Sequence, residues 1–257
     1  MYSLAVSDIK ATHQTMNRCL TFSVLASISL LLAGCLGMAP TEVPLPGIET
    51  ANPQSRHESL VIMLPGRGDR ADTFIREGFH EVGARRGFDT IAVDAHFGYY
   101  MERSLLPRLH EDIILPARQV GYEKIWILGI SMGGYGTLLY ASEHPDLVDG
   151  VILLAPFLGD RNSIEEIVSS GGLSGWNEST SELEDHEIKV WSWLRDATSP
   201  PEKTPVILGY GLSDGMAESY GVLVNSVEPS SVYTLEGGHK WTTWGPLWEM
   251  IAADLEP

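Results

Sequence analysis

The sequence predicts an α/β architecture: a mostly parallel sheet of about six strands, flanked by helices. Three observations lead there. Short β-rich runs alternate with helical patterns from residue 59 onward. Most of those runs are near-continuous Val, Ile and Leu, the signature of strands covered on both faces. Alternation of this kind implies right-handed crossovers between neighbouring strands.

The elements follow in order. "SLVIML" (59–64) is an unbroken apolar run and reads as the first strand. A helical pattern over 71–86 leads to the strand "DTIAVDA" (89–95), and another over 103–120 leads to "KIWILGI" (124–130). A helix over 132–144 precedes "GVILLAP" (150–156). The last two strands, "PVILGYG" (205–211) and "SVYTLE" (231–236), are followed by helical patterns over 216–226 and 241–254. One connection breaks the rhythm: the segment 157–204 is far longer than a crossover needs. Within it Leu183, Val190, Trp191 and Leu194 share one helical face, with Trp193 off it. This is expected to be a crossover helix packed on the sheet, with a small cap over a pocket as the alternative.

Composition fits one globular domain: 257 residues, 44% hydrophobic, 20% charged, with no internal repeat. The formal net charge of −17 argues against nucleic acid as a partner, because phosphate binding needs clustered Lys and Arg.

The N-terminal region has a different character. From Met16 the chain reads "MNRCLTFSVLASISLLLAGC", one basic residue, an apolar stretch and then small residues before Cys35. That is the layout of an export signal, too short for a comfortable membrane span. The ending "LLAGC" resembles the lipobox of bacterial lipoproteins, which implies cleavage before Cys35 and its lipidation. The alternative is an ordinary secretory signal with a chance cysteine. Residues 1–15 look unlike any signal, which makes Met16 the expected start. Cys19 would leave with the signal, and beyond Cys35 the chain has no cysteine for disulfides or thiolate metal sites. Residues 36–58 hold four prolines and little apolar periodicity, and read as a tether from the membrane to a catalytic domain over 59–257. Leu36 is not the Asp that often signals inner-membrane retention in that family, so an outer-membrane address is expected.

The chemistry concentrates at "GISMG" (129–133), after a strand and before a helix. Glycines on either side let backbone pass close to a strained Ser131, which is the requirement of a nucleophile elbow. A serine hydroxyl needs a base. Of the eight histidines, His239 in "GGHKW" lies between the last strand and the last helix, where an imidazole can reach back over the elbow. His144 reads as a helix-end residue, His186 lies in the polar insertion, and His80, His96 and His110 precede the serine. The base in turn needs a carboxylate. Asp214, in "GYGLSDGM", stands at a strand's carboxyl end; its bland role is a helix cap, and Asp196 is the rival. The oxyanion donors expected are the backbone N–H of Met132 and that of Arg67, in "LPGRGD" after the first strand.

Together the elbow, Asp214, "GGHKW" and "LPGRGD" resemble the α/β-hydrolase superfamily on its small carboxylesterase side, and "GISMGGYGTLLYASEHPDLVDGVILLAP" and "GGHKW" are particularly similar to esterase D and tributyrin-esterase-like members. The resemblance covers about residues 59–255, with Pro65 where many relatives have histidine. The first two antiparallel strands common in that family are not evident, which implies a trimmed version. With the lipobox at Cys35, the resemblance implies a lipid-anchored serine esterase acting on small or lipid-like acyl esters, with no cofactor or metal. Thioester hydrolysis and peptidase activity use the same triad, and a non-catalytic lipid-anchored binding protein is the reading of another class. Phe97, Tyr99, Tyr100, Phe157 and Trp241 lie near the expected pocket, each more often a core residue than a contact.

Overall fold

In the computed structural model, residues 39–52, 58–199 and 204–257 are described, and Thr41–Pro257 form one compact unit. Its centre is a sheet of seven strands. They are β1 (Gly47–Thr50), β2 (Ser59–Leu64), β3 (Asp89–Val93), β4 (Lys124–Ile130), β5 (Gly150–Leu154), β6 (Val206–Gly211) and β7 (Val232–Leu235). The spatial order is β1-β3-β2-β4-β5-β6-β7, and every pairing except β1 with β3 is parallel. The apolar runs explain the centre of the sheet. All residues of β2, β3 and β5 are buried, and in β4 only Lys124 at its start is exposed. Strands so enclosed need apolar side chains on both faces, which is why their sequences run rather than alternate.

Helices cover the two faces. α1 (Ala71–Arg76) and α2 (Phe79–Arg85) occupy the single helical stretch expected over 71–86. They are separate because Gly78 takes a left-handed φ of 75°, which ends the first helix. α3 (Phe97–Met101) follows β3, and α4 (Leu105–Arg108) runs on through Leu109–Ile114 into α5 (Leu115–Val120). Pro116 has no N–H to offer the carbonyl four residues back, and just ahead of it the backbone widens into a π turn over Leu109–Ile114. α6 (Met132–Glu143) leaves the elbow, α7 (Arg161–Ser169) and α8 (Asp185–Ala197) lie in the long insertion, α9 is Gly221–Val224, and α10 is Trp241–Asp254. α10 seals β6 with Leu247, Trp248 and Ile251, all fully buried, and the Trp248 indole N–H donates to the Phe79 carbonyl at 3.0 Å. Truncating a ring buried this way costs about 3–5 kcal/mol.

Four expectations need correction. The sheet has seven strands, because part of the supposed tether belongs to the fold. β1 pairs antiparallel with β3, Gly47 opposite Val93 through Thr50 opposite Thr90. Ahead of it, Leu45 is 3% exposed and donates its N–H to Asp112 at 2.8 Å, while Glu42 exchanges two hydrogen bonds with the Tyr99 hydroxyl. A four-residue edge strand that is mostly exposed leaves no apolar run to read. Second, the helix expected over 216–226 is only Gly221–Val224; the residues before it turn on Asp214, which takes the Met216 N–H on its side chain and the Ala217 N–H on its carbonyl. Third, Leu183 lies ahead of α8 rather than on its face, although Val190, Trp191 and Leu194 are buried as expected. Fourth, the helix of the insertion, α8, packs chiefly against α6 and not on the sheet as expected, while α7 walls a cleft. The export signal and Cys35 lie outside the described residues.

Candidate active site

Ser131 sits between β4 and α6 with φ 53° and ψ −116°, a conformation that costs a non-glycine residue about 1–3 kcal/mol. Its surroundings hold it there. The Ser131 N–H donates to Leu154 O at 3.0 Å, and the Ser131 carbonyl accepts from Phe157 N at 2.8 Å and Gly134 N at 3.0 Å. The flanking glycines are required by contact. A Cβ on Gly133 would stand 2.1 Å from Leu64 O, and one on Gly129 would stand 2.3 Å from Gly133 O. β4, the β2 loop and α6 are therefore too close for any side chain at either position. The serine is held up by this close packing.

The first-strand loop lies against the nucleophile. A Cβ on Gly66 would be 3.5 Å from Ser131 Cβ and 3.7 Å from Asp69 Oδ2. Among the described residues, no acceptor takes the N–H of Met132 or of Arg67. The exposed Arg67 side chain carries its guanidinium over the Phe97 ring, 4.8 Å from its centroid.

Asp214 and His239 come together. After β6 the backbone turns through Leu212 N–H to Leu235 O and Ser213 N–H to Gly237 O, both 2.8 Å. This clasp needs glycine, since a Cβ on Gly211 would fall 2.3 Å from Gly237 O. It sets the loop after β7 beside the loop after β6. His239 Nδ1 is then 2.8 Å from Asp214 Oδ2, and Asp214 Oδ1 accepts the Met216 N–H at 2.9 Å. The Asp214 side chain is 1% exposed and that of His239 32%, so the acid is enclosed and the imidazole faces outward. Asp214 thus also performs the cap-like role weighed against it. Trp244 stands edge-on to the imidazole at 4.9 Å.

The other candidates lie elsewhere. Asp196 is exposed and pairs with Arg195 at 3.2 Å. His144 ends α6 with its ring stacked on His110 at 4.3 Å, and His96 caps α3 through Nδ1. The sequence did not single out Asp69. Its carboxylate accepts from Trp241 Nε1 at 3.3 Å, tying the "LPGRGD" loop to the start of α10. Burial raises its pKa above the usual carboxylate range, against the opposing pull of the Trp241 hydrogen bond and the Arg76 charge. Only its place in a turn between glycine and arginine marks Asp69 in the sequence, which is too weak a signal.

A cleft of about 730 Å³ opens between α7 and the loop after Asp214. Phe157, Leu158, Ile164, Val168 and Met216 give it apolar walls, with Arg161, Glu165 and Glu218 among its charged groups. Its inner edge adjoins the site on both sides: Phe157 binds the Ser131 carbonyl, and Met216 binds Asp214. Among the described residues, no group of three or more His, Cys, Asp or Glu side chains converges as metal ligands would.

A strained serine at a strand-to-helix turn, with an enclosed aspartate paired to a partly exposed histidine past the last two strands, defines a class. The chain belongs to the alpha/beta hydrolase fold family, which its residues 59–207 match. It is 26% identical over 136 residues to an uncharacterized protein of Bacillus subtilis (strain 168), YjcH; the match covers 51% of this chain and 49% of that one, so the chain spans about half the length of that relative. Est1E from Butyrivibrio proteoclasticus has a similar structure, with a TM-score of 0.55 at 16% identity, covering 80% of this chain and 90% of that one. The S-formylglutathione hydrolase FrmB from Staphylococcus aureus gives 0.54 at 16% identity over 76% and 80% of the two chains. At such identities the likeness is one of fold.

Proposed function

We propose that the protein is a serine hydrolase of carboxylic esters, of the small esterase D-like kind, working through Ser131, His239 and Asp214. One observation carries the reading: the enclosed Asp214 carboxylate holds His239 Nδ1 at 2.8 Å, at the same carboxyl edge of the sheet where the strained Ser131 stands. With its Nδ1–H donated to the carboxylate, the imidazole presents the Nε2 lone pair that a hydroxyl needs. Ser131 Oγ adds to the ester carbonyl carbon while its proton passes to Nε2. The N–H groups of Met132 and Arg67 receive the oxyanion, each donor of this kind being worth about 10²–10³ in turnover. Collapse breaks the bond to the alcohol oxygen, which leaves with the proton from His239. Water, deprotonated by the same nitrogen, then releases the acid and restores the serine.

The apolar walls of the cleft support an ester with an uncharged, apolar acyl or alcohol part. A series of straight-chain p-nitrophenyl esters tests this. Each methylene that enters the cleft is expected to raise kcat/KM about fourfold, from about 0.8 kcal/mol of burial, until the cleft is full. A flat series would contradict the pocket assignment. Cleavage of thioesters or amides with no ester turnover would reassign the reaction.

Export and lipid attachment at Cys35 are also proposed, on the support of "LLAGC" alone. Among the described residues no helix is long and apolar enough to cross a membrane, so any anchor would have to be supplied elsewhere. Two or more acyl chains hold far more strongly than one. Wild type is therefore expected in the membrane fraction, and Cys35→Ser to be released or left unprocessed. Wild-type protein free in the soluble fraction, cut after Cys35, would contradict this.

A further inference from the structure

We propose that Tyr100 and Phe97 are positioning residues that fix the two oxyanion donors relative to each other, with α3 acting as a brace between them. The inference rests on the serine-hydrolase reading above, and deepens it. The donors sit on separate parts of the chain, Arg67 in the loop after β2 and Met132 at the start of α6, and these segments meet where Gly133 passes Leu64 and Pro65. Only donors held in place before the charge forms stabilise it well, and a misplacement on the ångström scale is costly.

α3 touches both. The Tyr100 hydroxyl donates to the Met132 carbonyl at 3.2 Å. It also fills the groove at the next turn of α6, where a Cβ on Gly136 would fall 2.4 Å from Tyr100 Oη. The first two turns of that helix therefore rest on one phenol. Three residues earlier on α3, the Phe97 ring carries the Arg67 guanidinium at 4.8 Å. That contact ties the side chain of the residue offering the second N–H to α3.

The brace is itself tied down. His96 Nδ1 accepts the Gly98 N–H at 3.1 Å, the His96 ring lies 4.8 Å from Tyr99, and the Tyr99 hydroxyl exchanges two hydrogen bonds with the Glu42 backbone. α3 is thereby fixed to the segment ahead of β1 and to the end of β3. Burial raises the Tyr100 pKa, so the phenol keeps its proton and remains a donor over the working pH range. Neither Tyr100 nor Phe97 is given any contact with the reacting atoms. Their effect runs through Met132 and Arg67.

Steady-state kinetics of Tyr100→Phe and Phe97→Leu, each normalised to active sites by a titrating burst, separate this from general support of the fold. Tyr100→Phe keeps the ring and removes one hydrogen bond, and its kcat is expected to fall about tenfold with KM changed by less than about twofold. Phe97→Leu is expected to show the same split. The affinity for an alkylboronic acid, whose tetrahedral adduct places an oxygen where the oxyanion forms, is expected to fall in parallel with kcat. Wild-type kcat per active site in both variants, or a loss confined to KM, would overturn the proposal. Ser131→Ala, run alongside, distinguishes the failures. If it is inactive while Tyr100→Phe is unchanged, only the brace is wrong; if it remains active, the serine-hydrolase reading falls with it.

Discussion

Ser131→Ala is expected to lower turnover of a carboxylic ester by about 10⁶, with the fold retained. The loss is large because the site described offers no second nucleophile. What remains is water attacking a bound ester, helped by the oxyanion donors and by binding, which together leave a residual of about 10³–10⁴ over the uncatalysed rate. The fold is expected to survive because the hydrogen bonds that fix the elbow are made by the backbone of Ser131, which alanine keeps. Alanine also tolerates the same positive φ no worse than serine does. Ester turnover and thermal unfolding measured on one preparation check both halves. Unchanged turnover would remove Ser131 from the mechanism, whereas a lost fold would make the kinetic result uninformative about chemistry.

Asp214→Asn is the second large effect, a fall of about 10⁴ in kcat. The two oxygens of Asp214 have different duties, Oδ1 accepting the Met216 N–H and Oδ2 facing His239 Nδ1. An asparagine that keeps its oxygen toward Met216 must turn its NH₂ toward the imidazole. Two donors cannot face each other, so His239 takes the other tautomer, with its proton on Nε2. It then no longer accepts from the serine. Asp196→Asn is the matched control: its exposed carboxylate pairs with neighbouring Arg195, a contribution of at most about 1 kcal/mol. It should leave kcat unchanged. The reverse pattern would move the acid into the insertion and contradict the geometry after β6.

What could be read from the sequence depended on how strongly each element's environment constrains its residues. β2, β4 and β5 are buried on both faces, so their runs stand out, and β2 and β4 fall on the residues expected. The Ser131 and His239 loops were legible for a related reason, because close approach demands glycine at 129, 133 and 237 and leaves "GISMG" and "GGHKW" behind. β1 was missed because its outer edge meets solvent and "GIET" carries no pattern. The break between α1 and α2 hangs on one φ at Gly78, and an isolated glycine inside a helical pattern does not reveal its φ. The aromatic cluster at 97–100 was visible as a cluster, but the separate duties of Phe97, Tyr99 and Tyr100 were not. They are set by partners at Arg67, Glu42 and Met132, dozens of residues away in sequence.

The proposed mechanism makes Ser131 Oγ the nucleophile of the covalent step, and covalent trapping probes that step. The full chain is treated with a fluorophosphonate, and the adduct is located by peptide mass mapping. A single phosphonyl group on Ser131 is expected, absent in Ser131→Ala and formed much more slowly in His239→Ala, because an unassisted hydroxyl is a weak nucleophile. An adduct on another residue, or equal labelling of wild type and Ser131→Ala, would contradict the account.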